Sequence, residues 1–297
     1  IHDCDKHNKF LGTTSFGTPI YIDEIVLDSG MVVPITDSEY HYFAGQAGTV
    51  KSICPGVAGR ETILKNHPMM FDFNLGFKKE VRLGNTDGNP VIEDMKEIVK
   101  VVSQKVFIFG IDAIISNQEI VYLNAGDLIL LHELAKEQLS VVKIPKPGDI
   151  VIVSAKNLGI NLYQSGKAFH AGWNAIRKDG KGSLIVLAPC TDGIGNDAYY
   201  KAMESVKDLP PQEAMRFCIQ HYCSPETFKI GNQKPVDLFR IIKDVGQDNI
   251  HIITDFNPEL LKNIFRLNAH EVKQISVADH IKKIISQHLR KIPCLLY

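Results

Sequence analysis

The chain has 297 residues, 44% of them hydrophobic, and 33 basic against 34 acidic residues give a formal charge of -1, enough length and apolar content to bury a large core in two domains rather than one. With charge near zero and no block of five like charges, nothing in the composition asks for nucleic acid or an anionic membrane as partner. The six cysteines (Cys4, Cys54, Cys190, Cys218, Cys223, Cys294) form no C-x-x-C pair and are too sparse for a disulfide framework, which fits a reducing, cytoplasmic compartment.

In chain order, Ile1 stands where an initiator methionine would be and no signal-like start follows, so the sequence is expected to begin inside a longer natural one. "TPIYIDEIVLDSGMVVPITD" reads as a short helix, a buried strand around Met31 to Ile35, and a loop, the place where α/β proteins put their sites. "HYFAGQAGTVKSICPGVAGRETILKNH", from His41 to His67, occupies that loop and ends in a helix with Gly59 at its entry and Pro68 near its exit. A polar stretch from Asn74 to Pro90 launches a second helix in "PVIEDMKEIVKVV". "KVFIFGIDAII" and "EIVYLNAG" read as a strand pair, and "AGDLILLHELAKEQL" as a helix.

Two prolines and a glycine in "KIPKPGD" break the pattern, placing a boundary between residues 1–145 and 146–297. Alternation then restarts: "DIVIVSA" strand, "NLYQSGKAFHAGWNAI" helix, "GSLIVLAP" strand, "GNDAYYKAMESV" helix, with "NIHIITD", "ISVADHIKKIISQHL" and "KIPCLLY" continuing it. The expected fold is α/β, two domains with mainly parallel sheets flanked by helices and the active site in the cleft between them. The longest apolar runs, such as "SLIVLAP", fall well short of the roughly 20 residues that span a bilayer.

Several segments could carry chemistry. Gly45, Gly48, Lys51 and Ser52 imitate a phosphate loop, but Thr49 and Val50 separate the second glycine from the lysine, so the backbone wrap cannot form. His41 and His67 are 26 residues apart and lack the i, i+4 spacing of a helical metal pair. "LAPCTDGIGNDAY" runs from a strand end through glycines into a helix; it could bind an anion at the helix start, or the glycines could serve only the turn. Gln164 and Lys167, at i, i+3 near a helix start, could grip a carboxylate with an amide and a cation, or be a capping glutamine beside a solvated lysine. Trp173 reads as core, and His132, His170, His221, His251, His270, His280 and His288 read mostly as helix surface.

Taken together, "LGTTSFGTPIYID", the His41 to His67 segment and "NLYQSGKA" resemble the nickel-pincer lactate racemase family in order and spacing over nearly the whole chain. The resemblance is most specific where a histidine before F-A-G, a lysine, P-G-x-A and a final N-H recur together. It implies a racemase or epimerase of 2-hydroxy acids using a nickel-pincer nucleotide (nickel pyridinium-3,5-bisthiocarboxylic acid mononucleotide), supplied by cofactor-biosynthesis enzymes. By the same resemblance Lys51 is the tethering lysine, with Gly48 and Ser52 beside the cofactor, and His67 the imidazole ligand of nickel. His41 is then an acid/base histidine, and Gln164 and Lys167 hold the substrate.

Three departures stand out. Family members carry an upstream aspartate-x-threonine-arginine loop and a glycine-x-histidine loop, which supplies the other acid/base histidine, and neither occurs in this sequence. Gly48, Thr49 and Val50 stand where a glycine pair and an arginine are usual. Lys234, in "IGNQKPVDLF", stands where lactate racemases proper tend to place a tryptophan, and is expected to touch substrate.

The implied chemistry is coherent. The α-proton of a 2-hydroxy acid is barely acidic, whereas hydride transfer to an electron-poor ring is feasible if a base takes the hydroxyl proton, for which an imidazole of pKa near ~6.5 is suited. Two other readings remain open at this stage: a homologue that binds the cofactor without turnover, and a nucleotide-dependent α/β oxidoreductase using the Cys190 to Tyr199 turn.

Overall fold

The computed structural model describes residues 1–73, 76–116, 118–139, 145–272 and 276–291. Contacts divide the chain into two compact units, Ile1–Val142 and Lys143–Tyr297. The expected boundary falls beside residues 140–144, which lie outside the described ones, as does all but the first residue of "KIPCLLY".

The first unit opens with an antiparallel pair, β1 (Asn8–Thr13) and β2 (Pro19–Asp23). Alternation in β2 turns Ile20 and Ile22 fully inward. A one-turn helix α1 (Glu24–Leu27) follows, then short strands β3 (Met31–Val32), β4 (Ile35–Asp37), β5 (Tyr40–His41) and β6 (Gly45–Gln46). The single buried strand expected at Met31 to Ile35 is thus two pieces, with Met31 48% and Ile35 78% exposed. Their apolar content serves edge pairing rather than core: β3 pairs parallel with β9 (Phe107–Ile108), and β4 parallel with β10 (Gly110–Ser116). The strand Pro19–Asp23 was masked in the sequence by the helix-like spacing just after it.

A 3-10 turn over Thr49–Ser52 leads to α2 (Arg60–Asn66), which runs directly into a second 3-10 turn, His67–Met70. A small hairpin, β7 (Phe71–Asp72) and β8 (Gly76–Phe77), precedes α3 (Pro90–Ser103), whose Asn89 cap and Pro90 start match the expected launch. The inward stripe of α3 is Val91, Ile92, Met95, Ile98, Val99 and Val102, interrupted by one carboxylate, Asp94. The expected strand pair is present: β10 runs antiparallel to β11 (Glu119–Gly126). Asp127 caps α4 (Leu128–Gln138) by accepting from the Ile129 and Leu130 amides.

The second unit is built on one four-stranded parallel sheet. Its members are β12 (Ile150–Ser154), β13 (Ser183–Leu187), β14 (Ile250–Thr254) and β15 (Asn268–Glu271), in that order. β13 and β14 are buried almost throughout, as strands covered on both faces must be. The first crossover carries α5 (Leu162–Ala175), and the β13 to β14 connection carries α6 (Asp197–Ser205), α7 (Pro211–Tyr222) and α8 (Gln233–Val245). α9 (Pro258–Phe265) joins β14 to β15, and α10 (Val277–Lys291) packs Ile284 against Ile185 and Ile253. The two-domain α/β organisation with parallel sheets and flanking helices is therefore the one expected.

Most histidines read as helix surface are inside. His132, His170, His251, His280 and His288 are buried, each with a polar partner: Thr49, Asp237, His270, the Glu271 carbonyl and Ser183. Those partners come from distant segments, so sequence spacing could not show them. His221, stacked on Phe217, keeps the exposed place expected of it. No helix among the described residues is long and apolar enough to cross a membrane.

Candidate functional site

In the first unit, Phe43 collects the three candidate groups of the loop. It lies at the tip of the β5–β6 hairpin, where His41 pairs with Gly45. The His41 ring meets Phe43 edge-on at 4.4 Å between centroids, the His67 ring does so at 5.2 Å, and Lys51 Nζ lies 5.3 Å from the Phe43 centroid. An amine and two imidazoles therefore surround one aromatic ring, although 26 residues separate the first from the last.

The lysine is placed by a strained, heavily tied turn. Gly48 has φ +79°, and a β-carbon there would come within 2.7 Å of Ser38 Oγ, so its glycine serves the backbone. Thr49 takes φ +42° although it is β-branched. Its amide donates to Thr36 Oγ1 at 3.1 Å and its hydroxyl is hydrogen-bonded to His132 Nδ1 at 2.8 Å. His132 lies fully buried on α4, and burial pushes its pKa down to about 4. Ser52 donates to the Thr49 carbonyl at 2.6 Å, closing the 3-10 turn behind Lys51. Thr36 and His132 are positioning residues that sequence reasoning missed, since neither has a spacing relation to Lys51.

His67 is buried at the junction of α2 and the following 3-10 turn. Loss of water, then the nearby Lys51 charge, pushes its pKa down to about 3, so the ring is neutral at ordinary pH. His67 Nδ1 lies 3.1 Å from Asn66 Oδ1, an oxygen partner that favours the proton on Nδ1 and basicity at Nε2. His41 Nδ1 accepts from the Ala44 amide at 3.2 Å. In this conformation its neutral ring carries the proton on Nε2 and suits donation; taking a proton on Nε2 requires the Ala44 contact to open. Among the described residues, the one trio of metal-type ligands within mutual reach is Asp3, Cys4 and Asp5, so His67 belongs to no preformed protein cage.

In the second unit, Asn161 caps α5 by accepting from the Gln164 amide at 2.9 Å. Gln164 and Lys167 are partly exposed one turn into the helix. Lys234 arrives from α8: a β-carbon on Gly166 would stand 2.8 Å from its Nζ, and Nζ lies 5.3 Å from the Tyr163 ring centroid. Burial pushes the Lys234 pKa down to about 8, with Asp237 opposing the fall and Lys167 adding to it. Burial alone would raise the carboxyl pKa of Asp237, but its contacts with His170 at 3.1 Å and Arg240 at 2.6 Å, with the Lys234 charge nearby, hold it well below the usual carboxylate range. Three groups able to grip an anion thus share one helix–helix seam.

The glycine turn "CTDGIGND" is spent on structure. The Gly193 and Ile194 carbonyls accept from the Leu162 and Tyr163 amides at 2.9 Å, closing the start of α5. Gly195, at φ +78°, could not bear a β-carbon, which would fall 2.3 Å from Asn161. α6, where a phosphate turn would deliver its ligand, is capped by Asn196 and begins with the acidic Asp197. Of the two sequence readings for this segment, the structure supports the tight turn.

The chain is thus a two-unit α/β protein with a lysine and two histidines ringed around a phenylalanine in its first unit and three groups able to donate to an anion on a helix seam in its second. Its residues 1–76 match the family model described as the lactate racemase N-terminal domain, and residues 143–290 match the lactate racemase C-terminal domain. A lactate racemase of Thermoanaerobacterium thermosaccharolyticum is 34% identical over 221 residues, covering 72% of this chain and 50% of the relative. That of Lactiplantibacillus plantarum is 27% identical over 259 residues, covering 86% of this chain and 58% of the relative. The lactate racemase apoprotein structure from T. thermosaccharolyticum superposes with a TM-score of 0.77 at 26% identity, over 97% of this chain and 66% of that one. A structure from Thermotoga maritima, at 17% identity and TM-score 0.67, shares the fold. The chain belongs to the lactate racemase family. It spans about half the length of the curated relatives it matches.

Proposed function

We propose that this chain belongs to a racemase or epimerase of 2-hydroxy acids, with lactate the first substrate to test because the matched relatives bear that name. The observation that carries the reading is the grouping of Lys51, His67 and His41 around Phe43. An amine on a rigid turn suits a covalent tether. A neutral buried imidazole suits a single protein ligand to a metal whose remaining ligands come with the cofactor itself. A nickel-pincer nucleotide fits this donor set, with Lys51 as its tether and His67 Nε2 as its ligand. When bound, such a group supplies an electron-poor ring for reversible hydride transfer at the α-carbon.

The protein's own residues do the rest. Gln164 offers an amide donor and Lys167 and Lys234 offer ammonium groups to a substrate carboxylate, fixing which carbon faces the chemistry. His41 exchanges the hydroxyl proton: as it stands its Nε2–H donates a hydrogen bond to the substrate oxygen, and once the Ala44 amide releases Nδ1 and the ring proton sits there, Nε2 takes the hydroxyl proton and the imidazolium so formed returns it. The enzymes that build the cofactor are the partners this reading requires, and a soluble, cytoplasmic setting is the one it suits.

Mass mapping of the chain co-produced with cofactor-making enzymes tests the reading. An adduct on the Lys51 peptide is expected; bare Lys51 under conditions that load a known family member overturns it.

A further inference from the structure

The segment "LGTTSFGTPIYID" and the buried carboxylate of α3 have no part in the chemistry above, yet they meet. Thr14 and Thr18 close the β1–β2 turn, the Thr14 amide donating to the Thr18 carbonyl at 2.9 Å and the Thr18 amide to Thr14 Oγ1 at 3.1 Å. Both hydroxyls then donate to Asp94, at 2.5 Å from Thr14 and 2.9 Å from Thr18. Asp94 is fully buried, and its third donor is Asn66 Nδ2 at 2.8 Å. The second hydrogen of that Asn66 amide goes to the Val91 carbonyl at 3.0 Å.

This arrangement decides which way the Asn66 amide faces. A carboxylate oxygen and a backbone carbonyl can only accept, so the NH2 end must point at them. Reversing the amide would set its oxygen against two other oxygens at a fully buried site, where each unsatisfied group costs about 1–3 kcal/mol. The end presented to His67 Nδ1, 3.1 Å away, is therefore an oxygen, and an oxygen accepts. The neutral imidazole has one N–H, and this contact claims it for Nδ1.

We propose that Asp94, acting through Asn66, selects the tautomer of His67 in which Nδ1 carries the proton and Nε2 the lone pair, and that Thr14 and Thr18 hold Asp94 in that role. Asn66, Asp94, Thr14 and Thr18 are positioning residues: none offers an atom to substrate, and their effect passes through one ring. Outer-shell partners of this kind typically contribute 10–100-fold in metal affinity. The proposal rests on the reading of His67 as a metal ligand, but the tautomer itself exists before any metal arrives.

The test uses the full chain produced without cofactor enzymes and labelled with 15N-histidine. Two-bond proton–nitrogen spectra report which nitrogen of each ring is protonated, and the His67→Gln variant assigns the signal. In the parent chain the His67 ring is expected to be a single tautomer with Nδ1 protonated. In Asp94→Asn, whose amide can itself donate, the Nε2-protonated form is expected to appear, and the loaded variant should release nickel to a chelator at an about 10–100-fold lower competitor concentration. Thr18→Val, which removes one donor and keeps the shape, should shift both readouts in the same direction by less.

An Nε2-protonated ring in the parent chain overturns the proposal, whatever the variants do. So does an unchanged single tautomer with unchanged nickel retention in a folded Asp94→Asn; if that variant does not fold, Thr18→Val and the parent spectrum decide. An Nδ1-protonated ring in a chain that acquires no adduct on Lys51 supports the orientation and removes the racemase reading. An adduct on Lys51 beside an Nε2-protonated His67 does the reverse.

Discussion

The two units solve the problem of presenting a functional amine in opposite ways. Lys51 stands on irregular backbone, a 3-10 turn entered through a positive-φ threonine and tied by Thr36 and His132. Lys167 and Lys234 stand on regular helices, and what distinguishes Lys234 is burial against Gly166 with Asp237 nearby. A turn can aim a side chain where no helix face points, but it needs a buried polar scaffold to hold it. A helix needs no such scaffold, and instead tunes its amines through burial and neighbouring charge.

That contrast can be broken from either side. The largest effect is expected at the turn: Lys51→Arg keeps a cation beside Phe43 but cannot form the proposed tether, so adduct and turnover should both vanish, by mass mapping and by chiral chromatography of lactate incubated as a single enantiomer. Retained interconversion of the enantiomers would detach function from the turn altogether.

Next comes the scaffold beneath it. The pKa of His132 in the folded chain is depressed to about 4 from its ordinary 6.5, so the unfolded chain takes up a proton first as pH falls. Its stabilising contribution is fully present above pH 6.5 and is lost as pH falls towards 4. Denaturant titrations should lose about 3 kcal/mol from this group across that window. The slope should flatten in His132→Gln, which keeps a hydrogen-bonding group for Thr49 without the titration.

The helix seam should respond more gently. Lys167→Met is expected to raise KM for a 2-hydroxy acid by about 10–100-fold with a smaller change in kcat, the size of one charge-assisted hydrogen bond. An equal loss in kcat would move Lys167 from holding substrate to the chemical step.

The smallest effect is the titration of Lys234. With its pKa lowered to about 8, its charge is present below that pH and lost above it. Carboxylate affinity should therefore weaken between pH 8 and 9 by up to about tenfold, and Lys234→Met should remove that step from the KM profile.

The sequence disclosed these two regions unequally, for the same physical reason. α5, β12 and β13 of the second unit, and α4 and the β10–β11 pair of the first, carry their own periodicity and caps and were each readable, and Gln164 with Lys167 fell on one face by spacing alone. α8 was not anticipated because its buried face includes Gln233, Lys234 and Asp237, which read as polar surface. Around Lys51 nothing local could be read: Thr36, Asn66, Asp94 and His132 lie on four different elements and Ser38 just after β4, and the contacts that matter are between polar atoms with no periodic signature. Even His41 and His67 looked unrelated until Phe43 was seen between them. The motif there was visible only through family resemblance.

The account depends most on Lys51 and His67 serving one bound group. Nickel-edge X-ray absorption on the loaded chain, compared with His67→Ala, addresses that directly. One imidazole nitrogen in the metal shell of the parent, absent in His67→Ala while the Lys51 adduct persists, is the predicted result. A metal environment unchanged by that substitution, or an adduct found on another lysine, would contradict it.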